Sequence, residues 1–81
     1  SSLTSNESYV LSIARSRRYS PSDMEILNHL GIKRPRLSQI SNKLLKLGIL
    51  NVRMKGRSRY FELTQAAKAQ LIAWGVIGGD E

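Results

Sequence analysis

The chain has 81 residues, of which 41% are hydrophobic and 23% charged, and its formal net charge is +7; that suits one folded domain near the smallest size at which a single apolar core suffices. No apolar run reaches the roughly 18 to 20 residues that span a bilayer, and the N-terminal residues lack the basic and apolar regions of a secretion signal, so the expected location is cytoplasmic, without membrane attachment. With no cysteine and a single histidine, His29, disulfides and thiolate metal sites are excluded, and neither a metal nor another cofactor is expected.

Thr4-Ser5-Asn6-Glu7 has the capping-box arrangement, a hydroxyl acceptor followed three residues later by a carboxylate that can reach back. Tyr9, Val10, Ile13 and Ala14 come next at helical spacing, which predicts a first helix over 6–17. Arg15, Arg17 and Arg18 at its end either complement the carbonyl end of the helix dipole or meet phosphate. Ser20-Pro21-Ser22-Asp23 reads as a second helix start, with Ser20 as cap and Pro21 at the first helical position. Met24, Ile26, Leu27 and Leu30 supply the apolar face of that helix, and Gly31 ends it. A third helix begins at Arg34-Pro35, with Leu37, Ile40, Leu44, Leu45 and Leu47 inward and Gly48 as terminator, so that 20–47 reads as a helix-turn-helix.

Beyond it, Leu50, Val52 and Met54 alternate with Asn51, Arg53 and Lys55. After the Gly56 turn, Arg59, Phe61 and Leu63 alternate with Tyr60 and Glu62, the period of a two-stranded ribbon over 49–63 whose tip is Lys55-Gly56-Arg57-Ser58. Thr64 caps a last helix over 65–75, in which Ala66, Ala67 and Ala69 are small while Leu71, Ile72 and Trp74 are large. With the apolar Val76 and Ile77 nearby, that helix is expected to pack on the first helix or on a second copy, and a homodimer through the first and last helices is expected. Residues 78–81 read as a flexible tail. The fold class is α+β and mostly α, one domain over 1–81 with a three-helix core, a two-stranded β wing and a C-terminal helix.

Apolar residues at Ile26, Leu30, Ile32, Leu37 and Ile40 around Gly31 match helix-turn-helix spacing. Together with its continuation into the ribbon, this stretch resembles the winged-helix variety found in small prokaryotic transcription regulators of the MarR, ArsR and phage-repressor kind. Leu44-Leu45-Lys46-Leu47-Gly48-Ile49-Leu50 is similar to their helix-to-wing junction, and Gly56-Arg57-Ser58-Arg59-Tyr60-Phe61-Glu62-Leu63-Thr64 to their returning wing strand. The similarity covers residues 20–71. Two positions depart from the pattern: Leu27 stands where a small residue usually lets the helices cross closely, and Ala67 where related chains often have glycine.

Charge distribution supports a polyanionic partner better than net charge does. Between Arg15 and Arg59 twelve Lys or Arg accompany only two acids, Asp23 and Glu25; the rest of the chain holds Lys68 against Glu7, Glu62, Asp80 and Glu81. Burying Leu37, Ile40 and Leu44 leaves the polar side of the third helix free. Arg34, Arg36, Ser38, Gln39 and Asn42 are assigned to base edges, since arginine bonds guanine bidentately and Gln or Asn bonds adenine. Lys33, Lys43 and Lys46, with Lys55, Arg57, Ser58 and Arg59 of the wing, are assigned to phosphates or the adjacent minor groove. His29 reads as a partly exposed helix residue, and Asp23 and Glu25 are explained by the helix dipole. No nucleophile has a base, no glycine-rich phosphate loop occurs and no carboxylates pair across elements, so no enzymatic activity is expected. The reading is a transcription regulator that binds double-stranded DNA sequence-specifically, in the cytoplasm on chromosome or plasmid. A protein-interaction module, or the DNA-binding module of a replication initiator or partition protein, remains the alternative.

Overall fold

The computed structural model describes residues 3–73; the expectations for Trp74, Val76, Ile77 and the tail 78–81 lie outside them. The capping box forms as the sequence predicts. Thr4 Oγ1 accepts from the Glu7 backbone N–H at 3.1 Å, the Glu7 carboxylate accepts from the Thr4 N–H at 3.0 Å, and helix α1 (Ser5–Ser16) starts there.

The second helix starts later than Ser20-Pro21 suggests. Helix α2 (Met24–Leu30) is capped by Asp23, whose carboxylate accepts from the Ile26 N–H at 3.1 Å, while Ser20, Pro21 and Ser22 form a turn ahead of it. Asp23 wins because an ionised carboxylate at the N-cap takes a charge-assisted bond that a serine hydroxyl cannot match. The later start also changes the helical phase. Met24 is 62% exposed, not part of the apolar face, because it lies about 200° around the helix from the buried Ile26. Gly31 closes α2 with φ +64°, the left-handed conformation in which a Cβ is strained.

Helix α3 (Arg34–Lys46) buries Leu37, Ile40, Ser41 and Leu44. Leu47, expected inward, is 58% exposed: the helix stops at Lys46 and the chain turns before Leu47 can join Leu44 in the core. Strands β1 (Leu50–Lys55) and β2 (Ser58–Leu63) pair antiparallel, with Val52 opposite Phe61 and Lys55 opposite Ser58. Gly56 and Arg57 form the two-residue connection, and Gly56 at φ +62° supplies the positive φ that the first position of a II′ turn demands. Met54 is 63% exposed because the ribbon has by then left the core; Leu50 and Phe61 at its base are fully buried. Helix α4 (Gln65–Ala73) is capped by Thr64, whose hydroxyl accepts from Ala67 N–H at 3.1 Å and donates to the Gly48 carbonyl at 2.8 Å, fastening the end of the wing to the end of α3.

One pairing has no counterpart in the periodicity. Tyr19 lies in extended chain after α1, and it exchanges both backbone bonds with Phe61, at 3.0 and 2.8 Å, on the outer edge of β2. The core is a single cluster in which Val10 and Ala14 of α1, Ile26 and Leu27 of α2, and Leu37, Ile40 and Leu44 of α3 meet Tyr19, Leu50 and Phe61.

Candidate nucleic-acid interface

The polar side of α3 is built by exclusion. With Leu37, Ile40, Ser41 and Leu44 turned inward, Arg34, Arg36, Gln39, Asn42 and Lys46 are exposed and Ser38 is half-buried. Arg36 donates to Gln39 Oε1 at 3.2 Å, so two expected base readers already lie together on one strip of the helix. Lys33 precedes the helix as its N-cap and offers no side-chain capping bond.

The wing is set against this helix by buried contacts at its base. Tyr19 is 1% exposed; its ring lies 5.4 Å from that of Phe61, and its hydroxyl bonds the Ser41 hydroxyl at 2.6 Å. Burial pushes the Tyr19 phenol up to about 12, against the opposing effect of the Ser41 bond, so it stays neutral at ordinary pH. Through Tyr19 the inner side of α3 is tied to β2. The result is a polar groove of about 410 Å³ between helix and wing. Helix α3 lines it with Arg34 and Ser38, the wing with Arg57, Ser58, Arg59 and Tyr60, and the turn before α2 with Ser20, Pro21 and Ser22. Five of the residues selected from the sequence are therefore brought to one place. Lys55 stands at the end of β1 opposite Ser58, at the wing tip and outside the groove lining.

Lys43 does not join them. Its Nζ lies 2.7 Å from Glu7 Oε2, a carboxylate 3% exposed, which places the lysine on the α1 side of α3, away from the groove. The Lys43 ammonium and the Thr4 backbone N–H hold the Glu7 carboxyl below the usual carboxylate range. Two of the three arginines at the end of α1, Arg17 and Arg18, also have definite partners. Arg17 reaches Asp23 at 2.7 Å and Glu25 at 2.8 Å, bonds that lower the Asp23 carboxyl and raise the guanidinium further, while Arg18 lies 5.3 Å from the Tyr60 ring centroid. His29, exposed as expected, stacks flat on Tyr9 at 4.0 Å.

On the outer face of the ribbon Arg53 takes Glu62 at 2.8 Å. Among the described residues, then, all four acids are bonded to cations: Glu7 to Lys43, Asp23 and Glu25 to Arg17, and Glu62 to Arg53. None of those acids lines the groove, and Arg34, Arg57 and Arg59 face it without a carboxylate partner among the described residues. Arg59 is steadied by the Phe61 ring, 5.3 Å from its guanidinium carbon. Sequence reasoning missed Tyr19, Ser41 and the Ser20–Ser22 turn. Ser20 and Pro21 carried a helix-start pattern that hid their place in the groove, and a bond between residues 22 apart leaves no periodic trace.

No protein-family model matches the chain, and no curated protein matches it in sequence. Solved structures do match it in shape. The adhesin competence repressor AdcR from Streptococcus pyogenes superposes with a TM-score of 0.70 at 24% identity, over 83% of this chain and 51% of that one. A mutant of Lactococcus lactis ZitR gives 0.76 at 16% identity, over 94% and 53%. BpsR of Bordetella bronchiseptica, whose DNA binding is regulated by 6-hydroxynicotinic acid, gives 0.70 at 21% identity, over 98% and 64%. The chain thus spans about half to two thirds of the length of these proteins. Four helices among the described residues, the glycine turn between α2 and α3, and the two-stranded ribbon leading into α4 give it the winged helix-turn-helix fold that these structures share.

Proposed function

We propose that this domain binds double-stranded DNA sequence-specifically and acts as the DNA-reading part of a transcription regulator, without enzymatic activity of its own. The observation that carries the reading is the basic groove joining α3 to the wing, with the acids of the described residues bonded to other cations outside it. The likeness in fold to a named repressor and to a protein whose DNA binding is regulated supports the same reading.

In this reading α3 enters the major groove with Arg36, Gln39 and Asn42 toward base edges, while Lys33 and Lys46 meet phosphates on either side. The wing tip carries Lys55 toward the adjacent minor groove, and Arg57 and Arg59 meet the backbone beside it. The domain works as a homodimer through α1 and α4. In support, Leu3 and Leu11 from the α1 side share an apolar groove of about 580 Å³ with Ala66, Ala67 and Leu71 of α4 and the exposed Leu47.

Fluorescence anisotropy on a mixed-sequence duplex across a salt series tests the reading. Binding should weaken steeply with salt, and Arg57→Ala and Arg59→Ala should each flatten the log-log slope, by at most about 0.9, the contribution of one phosphate. Binding indifferent to salt, or equal slopes in wild type and both variants, would remove the wing from the interface. Sedimentation of the same protein tests the dimer: a monomer at micromolar concentration contradicts it.

A further inference from the structure

The groove between α3 and the wing contains a grouping that neither base reading nor packing explains. Its arginines come from two elements far apart in sequence, Arg34 at the first turn of α3 and Arg57 with Arg59 on the wing, and Ser22 and Ser38 add hydroxyls from two sides. Three exposed guanidinium groups lining one groove without a carboxylate leave it a positive potential that an anion would neutralise. The lining is polar, and Ser38 within it is half-buried, whereas Arg36, Gln39 and Asn42 of α3 are exposed and do not line the groove.

We infer that this groove seats one phosphodiester of the DNA backbone, gripped by Arg34, Arg57 and Arg59 with Ser22 and Ser38, so that Arg34 and Ser38 position the strand and do not read bases. The assignment rests on the DNA-binding reading and makes it specific. A duplex with a helix in its major groove and a hairpin tip in the neighbouring minor groove has one strand passing between the two elements. Here that strand runs through the groove. Arginine's planar fork suits bidentate contact with two phosphate oxygens, and hydroxyls supply the remaining donors. Because Tyr19 ties β2 to the buried face of α3, the two arginine-bearing walls are held at fixed separation before DNA arrives. The wing's angle and the reading helix's register are thus set against the same phosphate.

The test is a scan of single neutral methylphosphonate linkages along a bound duplex, read by anisotropy at constant salt for wild type, Arg34→Gln and Arg57→Gln. Both arginines are exposed, and unchanged thermal unfolding of the variants would show that the fold is intact. Wild type should lose about tenfold in affinity at one linkage per bound domain, the size of a charge-assisted contact. In either variant that linkage should become nearly neutral while sensitivity elsewhere persists. Loss spread evenly over many linkages, or a sensitive linkage unaffected by Arg34→Gln, would overturn the inference and leave DNA binding standing. Failure to bind any duplex would overturn both. Displacement of DNA by inorganic phosphate at constant ionic strength, abolished in Arg34→Gln, would give the groove to a free anion and contradict the strand assignment.

Discussion

At the scale of single residues, the Tyr19 hydroxyl is one of the buried contacts that fix the relation of wing to helix. Its bond to Ser41 is buried at both ends, so Tyr19→Phe keeps the ring against Phe61 while leaving the Ser41 hydroxyl without its partner. The expected cost is about 1–2 kcal/mol, read as a lower urea midpoint at unchanged m-value; an unchanged midpoint would show that Ser41 finds another acceptor at no cost. Glu7 is the second such residue, joining the α1 cap to Lys43 of α3. Its carboxyl is lowered in the folded state, so the contribution is present above the ordinary carboxylate range and lost as pH falls through the lowered folded value; Asp23, lowered chiefly by Arg17, behaves alike. Glu7→Gln should therefore destabilise the domain at neutral pH and make its unfolding midpoint fall less steeply between about pH 5 and pH 2. A parallel acid profile in wild type and variant would exclude Glu7 from the coupling.

At the scale of elements, the turn between α2 and α3 is fixed by Gly31 at φ +64°, with nothing within 4 Å of where a Cβ would stand. Gly31→Ala meets no clash, only backbone strain, and should cost about 1–2 kcal/mol in chemical denaturation, with Gly31→Asn costing less. Equal stability of all three would mean that the turn relaxes out of the left-handed conformation. Local signals such as this glycine, the Thr4-Glu7 box and the Thr64 cap were legible in the sequence because each involves residues within a few positions of one another. The strand period revealed the ribbon and its tip for the same reason. The features that stayed hidden depend on distant partners. Tyr19 bonds Ser41 22 residues away, and Lys43 turned to a buried glutamate 36 residues away. A helical wheel places Lys43 among the polar residues of α3 but does not say which neighbour faces it. The groove was legible only in its parts: Arg34, Ser38, Arg57, Ser58 and Arg59 were selected from two separate elements, and the Tyr19–Phe61 pairing and the Tyr19–Ser41 bond, with the shared core, join those elements into one surface.

At the scale of the molecule, the arrangement of charge results from the pairing of acids. Each acid among the described residues stabilises a joint between elements or within the ribbon, and in doing so leaves the groove cationic. The exposed pair Arg53–Glu62 adds little stability by itself, and the larger effect of the four acids' pairing is on where positive potential remains. That potential would draw the domain to any duplex, and the exposed Gln39 and Asn42 would let it choose among them, which is the central claim. Selection from a randomised duplex library at near-physiological salt, with sequencing of the retained DNA, tests it most directly. The account predicts enrichment of a defined motif, repeated in inverted orientation about one helical turn apart, with preference for that motif lost in Gln39→Ala or Asn42→Ala. Retention without any motif, or no retention at all, would contradict it.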